Sequence, residues 1–103
     1  MEILNAAVAG TLESSDVQVS VEPAEKGVAL DLSSSVMEQY GRQIRAVVLE
    51  TLERLGVASA RVRVVDKGAL DCTIRARVEC AVFRACGADA AAKNIPWGGV
   101  VRE

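Results

Sequence analysis

Val17, Val19 and Val21 alternate with Gln18, Ser20 and Glu22, the period of two expected of a strand that buries one face. Pro23 stops that run. Val28, Leu30 and Leu32 then alternate with Ala29 and Asp31, and the five-residue link Pro23–Gly27 predicts that the two strands form an antiparallel hairpin. Residues 1–8 show no firm period and read as an irregular arm or a short edge segment. After Ser33-Ser34-Ser35 the period changes. Ser35 with Glu38 matches a capping box at a helix start, and Val36, Met37, Tyr40, Ile44, Val47, Val48, Leu52 and Leu55 trace one apolar stripe over about five turns. Glu38 with Arg42 and Glu50 with Arg54 stand at i,i+4, and Gly56 is placed to end the helix. Gly41 inside it costs about 1 kcal/mol relative to Ala, which marks a point of close packing.

A third strand follows, with Ala60, Val62 and Val64 inward and Arg61 and Arg63 on the solvated side. Asp66-Lys67-Gly68 makes a turn, and Leu70, Ile74, Val78, Ala81, Val82 and Ala85 then take helical spacing. Asp71, Arg75 and Glu79 form an i,i+4 ladder on the other side of this second helix, and Gly87 is placed to cap it. From Ala88 the chain is small, polar and Gly-rich, with Pro96, so a flexible C-terminal tail is expected over 88–103 beyond a single domain of 1–87. Trp97 in that tail is either a docking anchor for a partner or a cover for the domain's own core. Strands and helices in the order β-β-α-β-α predict an α+β two-layer sandwich, a small antiparallel or mixed sheet packed against two helices.

Composition narrows the chemistry. With 50% apolar and 25% charged residues the balance is globular, and three aromatics in 103 residues force an aliphatic core. A formal charge of −2 indicates neither a nucleic-acid surface nor a strong electrostatic attraction to anionic membranes. The complete absence of His removes the commonest general base, the commonest metal ligand and every Ser-His triad, so an autonomous hydrolase or metalloenzyme is not expected. Cys72, Cys80 and Cys86 are odd in number and lack C-x-x-C spacing, and the chain shows no signal peptide or long apolar run. Reduced thiols in a cytoplasm are the expectation. Without a His partner they read as core packing or incidental occupancy and not as nucleophiles. Asp66 with Asp71 reads as solvent-facing charge in preference to an acid–base pair. No phosphate loop, dinucleotide fingerprint or nucleophile elbow is present.

Three separated blocks carry a resemblance: Ala9-Gly10-Thr11-Leu12-Glu13-Ser14-Ser15-Asp16-Val17, Val65-Asp66-Lys67-Gly68-Ala69-Leu70-Asp71-Cys72, and Arg75-Ala76-Arg77. Together with the chain length and element order, they resemble the citrate lyase acyl carrier protein (gamma subunit) family over nearly the whole chain. The resemblance implies a non-catalytic carrier subunit, active in citrate fermentation, whose serine at the position of Ser14 holds a covalent 2'-(5''-phosphoribosyl)-3'-dephospho-CoA group through a phosphodiester, making it a phosphoprotein. It implies that the thiol of this group carries an acetyl or citryl thioester between an alpha subunit (CoA-transferase) and a beta subunit (lyase), after a prosthetic-group transferase has loaded the serine. The implied partners include no nucleic acid and no membrane.

Members of that family often have Gly where this chain has Ser15, so family register points to Ser14, with Ser15 as the alternative hydroxyl. Glu13 and Asp16 flank it, with neutral turn chemistry favoured over steering of the modifying enzyme or orienting of the phosphate by repulsion. Ordinary phosphopantetheine carriers are four-helix bundles with Asp-Ser-Leu at a helix start, whereas Ser14-Ser15-Asp16 precedes a strand, so a four-helix carrier bundle is not expected. The acyl carrier subunit of malonate decarboxylase is the nearest alternative reading, and an unmodified scaffold or interaction domain is the alternative of another class.

Overall fold

A computed structural model describes residues 1–86. Strands β1 (Ala7–Gly10), β2 (Val17–Glu22) and β3 (Val28–Ser34) are followed by α1 (Met37–Arg54), β4 (Ala60–Asp66) and α2 (Asp71–Ala85). The architecture is α+β: one four-stranded mixed sheet with the two helices, and no helical bundle. Gly87, the tail over 88–103 and Trp97 lie outside the described residues.

The sheet order is β1-β2-β4-β3, which corrects the expected hairpin. β4 lies between β2 and β3, antiparallel to the first and parallel to the second, with Val19 opposite Val64 and Leu32 opposite Val64 on the other side. A parallel pair needs a long crossover, and α1 supplies it between β3 and β4. The segment Pro23–Gly27 therefore carries the chain past the place β4 will fill. The amino-terminal arm is also more ordered than its lack of period implied. Ile3 is buried, the backbone N–H groups of Leu4 and Asn5 both donate to Ala85 O at 3.0 Å, and Ala7–Gly10 forms an edge strand on β2. The order is thus β-β-β-α-β-α.

Alternation puts Val17, Val19 and Val21 of β2 and Ala60, Val62 and Val64 of β4 on one face, all essentially inaccessible. Ile44, Val48 and Leu52 of α1 and Ile74, Val78 and Val82 of α2 close over them, giving the aliphatic core the composition demanded. α2 packs on β1 and β2, α1 on β3, and the helices on each other. The opposite sheet face is polar, where Arg61 pairs with Glu22 at 2.9 Å and Arg63 with Asp31 at 3.5 Å. Exposed pairs of this kind contribute little, as expected of solvated strand arginines.

Several local expectations change on packing. Ser35 and Glu38 form no capping box: Val36 holds the N-cap position with no side-chain cap bond, and the Ser34 hydroxyl accepts the Val36 N–H at 3.1 Å instead. The C-terminus of α1 follows expectation, with Gly56 N–H donating to Glu53 O and Val57 N–H to Leu52 O, the paired bonds that close a helix at a left-handed residue. Glu79 leaves the expected solvent ladder. It is buried and accepts from Arg54 of α1 at 3.2 Å, while Asp71 accepts from Gln43 at 2.9 Å, so both carboxylates tie the helices together. Met37, Tyr40 and Leu70, expected in the apolar stripes, stay exposed. Gly41 is buried, and its close neighbour is the Met37 side chain of the same helix.

Candidate functional site

β1 and β2 are joined by Thr11–Asp16, and this loop is fixed at both ends. At Gly10 the chain turns with φ +89°, and a Cβ there would lie 1.9 Å from Val17 O. Only glycine allows the two strands to approach so closely. At the far end, Asp16 gathers four donors. The Thr11 hydroxyl donates to Oδ2 at 2.7 Å, the Val17 N–H to Oδ1 at 2.7 Å, and the Arg77 guanidinium to both oxygens, Nε to Oδ1 at 3.2 Å and Nη2 to Oδ2 at 3.0 Å. The Thr11 bond and then the Arg77 fork hold the Asp16 carboxyl well below the usual carboxylate range. Turn chemistry, not repulsion, is therefore the role of Asp16, and its charge is already matched.

Between these anchors lies the tip. Asp16 N–H donates to Glu13 O at 3.1 Å, closing a four-residue turn whose central residues are Ser14 and Ser15. Ser15 has φ +65°, the only non-glycine residue among those described in the left-handed region. That is the third position of a turn, where Gly is ordinarily favoured. Ser14 precedes it, exposed to solvent, and its hydroxyl engages no partner among the described residues.

A second loop supports the first. Ser15 N–H donates to Lys67 O at 2.8 Å and Lys67 N–H to Asp16 O at 2.9 Å, a reciprocal backbone clasp across a separation of more than fifty residues. Asp66 organises the supporting loop. Its carboxylate accepts from the Ser34 hydroxyl at 2.8 Å, from Gly68 N–H at 3.1 Å and from Ala69 N–H at 3.0 Å, and its own carbonyl accepts Ser35 N–H at 3.1 Å. Asp66 is 1% exposed, which corrects its reading as solvent-facing charge, whereas Asp71 stays partly exposed and meets Gln43 at the surface. Neither forms an acid–base pair, since each is committed to a structural bond.

The three sequence blocks thus meet in space: the first is the loop, the second clasps it through Lys67, and the third clamps it through Arg77. Residue-level reasoning alone sees only an ordinary turn at Ser14, which the family resemblance singles out, and it gives no role to Gly10, Lys67 or Arg77, whose partners lie far along the chain and leave no local signal. The thiols are dispersed along α2, with Cys72 exposed, Cys80 half-buried and Cys86 buried, and burial pushes the Cys86 thiol pKa up. Among the described residues no group of three or more acidic or Cys side chains could hold a metal ion, and no helix is long and apolar enough to cross a membrane.

The family described as malonate decarboxylase delta subunit (MdcD) matches residues 4–85. The citrate lyase acyl carrier protein of Streptococcus uberis is 57% identical over 89 residues, covering 86% of this chain and 88% of that protein. The protein of the same description from Vibrio cholerae is 53% identical over 98 residues, covering 94% and 96%. In the solved structures, a chain of a Pseudomonas malonate decarboxylase hetero-tetramer in complex with malonate superposes with a TM-score of 0.58 at 18% identity, over 81% of this chain and 86% of that one. At that identity the likeness speaks for the fold alone.

Proposed function

The chain belongs to the citrate lyase acyl carrier protein family, and on that premise we propose that it is the acyl carrier subunit of citrate lyase, loaded with 2'-(5''-phosphoribosyl)-3'-dephospho-CoA through a phosphodiester on Ser14. Its partners are the CoA-transferase (alpha) and lyase (beta) subunits and the prosthetic-group transferase that loads it. The attached group supplies a terminal thiol that carries the acetyl or citryl group as a thioester. The work of the chain itself is to hold and present.

The observation that carries the assignment to Ser14 is the turn. A phosphodiester needs an exposed hydroxyl free of internal bonds, and Ser14 has one at the tip of a loop clamped on both sides. Ser15 occupies the left-handed position, and members of this family often have Gly at its place, which supports reading Ser14 as the attachment hydroxyl. Asp16, its charge compensated by Arg77, does not oppose a phosphate on the neighbouring turn. Lys67 is exposed beside the tip and adds a cation there. The three free thiols fit a reducing cytoplasm.

Intact-mass analysis of the chain co-expressed with the prosthetic-group transferase tests this. One added group is expected, lost in Ser14→Ala and kept in Ser15→Ala. The opposite pattern moves the attachment to Ser15, and an unmodified mass in the presence of the transferase supports a scaffold instead. Malonate decarboxylase is separated by product: the reconstituted complex should give oxaloacetate from citrate, and carbon dioxide from malonate would reassign it.

A further inference from the structure

The starts of α1 and α2 flank a groove of about 690 Å³ that the carrier reading leaves unused. Its lining includes Val36, Tyr40, Ile44, Gly68, Leu70 and Arg75, and Gln43 bonded to Asp71 joins the helices at the same place. Leu70 is 72% exposed and Tyr40 51%, although both sit in the apolar stripes of their helices. Large apolar side chains open to water on a concave surface are a binding feature.

The groove starts where the serine loop is clasped. From Ser14 the shortest covalent and hydrogen-bonded path runs through Ser15 N, the 2.8 Å bond to Lys67 O and on to Gly68, which bounds the separation of Ser14 and Gly68 Cα atoms at about 10 Å. Along that path lies Lys67, and in the groove lies Arg75, neither of them in an ion pair among the described residues. The volume suits a drug-sized ligand, and a polyanionic chain tethered at Ser14 matches these two free cations. Tethering at so short a range sets an effective concentration on the order of millimolar, so a weak affinity suffices to fill the groove.

We propose that this groove holds the pantetheine stretch of the arm attached at Ser14, its apolar part against Leu70, Tyr40 and Ile44, with Lys67 and Arg75 supplying charge for its phosphates. The proposal rests on the Ser14 attachment. The arm would then rest against its own carrier between visits to the partner subunits, shielding the thioester from water.

Backbone amide shifts of the full chain, compared with and without the prosthetic group and with loading confirmed by intact mass, test the proposal. Loading should shift the amides of Tyr40, Gln43 and Gly68 to Arg75 as well as those of the serine loop. Leu70→Ser, which changes an exposed side chain, should lower occupancy about fivefold, the factor that losing part of one leucine's burial supplies, and return those shifts towards the unloaded values. A loaded chain whose shifts stop at Thr11–Val17, or whose groove shifts survive Leu70→Ser, overturns the groove while leaving the attachment intact. A chain that gains no mass overturns both.

Discussion

Replacing Gly10 with Ala tests the close approach on which the serine loop depends. The new Cβ would meet Val17 O at 1.9 Å and Arg77 Cδ at 3.1 Å, whereas a carbon and a carbonyl oxygen tolerate no less than roughly 3.3 Å. The strand ends must part by more than 1 Å where Gly10 opposes Gln18. Left-handed backbone costs an L-residue about 1–2 kcal/mol, and each ladder bond lost adds about 1 kcal/mol. The expected total is about 3 kcal/mol, a fall in midpoint temperature on the order of 10–20 °C for a domain of this size. Gly27 provides the control. It has φ +72° but open space around its missing Cβ, so Gly27→Ala incurs the backbone cost of about 1 kcal/mol without a clash. Urea unfolding of both variants at neutral pH, followed by circular dichroism, measures the difference. Equal destabilisation within about 0.5 kcal/mol would show that Val17 O does not crowd Gly10 and would sink the account of the loop as sterically fixed.

Acid should loosen the same loop. The Asp16 carboxyl titrates below its unfolded value of about 4, so its contribution is complete above that value and is lost as pH falls towards the lower folded one. Urea midpoints between pH 7 and pH 3 should fall further for the parent chain than for Asp16→Asn, and parallel profiles would contradict the clamp. Ser15→Gly should be fully loaded and up to about 1 kcal/mol more stable, because it relieves the left-handed serine; a loss of stability there would mean the serine side chain contributes a bond. With a disulfide reagent, exposed Cys72 should react at once, while Cys86, buried and with a raised pKa, should react only as fast as the fold opens. Gly41→Ala should gain about 1 kcal/mol in thermal unfolding, since only the flexible Met37 side chain must move; a net loss would show that Met37 cannot give way.

Periodicity identified β2, β3, β4 and both helices because each buries one face, and that requirement is written locally. It misplaced β3 because alternation states that a strand has an inner face, not which neighbour it has. Val28 to Leu32 alternate equally well beside β2 or beside β4, and the choice falls to α1, which closes a parallel crossover. β1 is too short, at four residues, to display a period. The candidate site divides in the same way. Ser14 reads locally as an ordinary turn hydroxyl that only the family resemblance picks out, and the groups that fix its loop do so over long separations: Arg77 reaches Asp16 across 61 positions and Ser34 reaches Asp66 across 32. Asp66 reads as surface charge because its partners include backbone N–H groups, which every residue has.

The central position of β4 also dictates an order of assembly. Until residues 60–66 are in place, β3 has no partner in the sheet and β2 has only β1. The turn that follows β4 clasps the serine loop, and Arg77 clamps it only once two turns of α2 have formed. The loop therefore takes its final shape only when contacts more than fifty residues apart in the chain have closed, a slow class of event in forming such a sheet. A modifying enzyme that recognises the clamped turn would distinguish finished chains from unfinished ones.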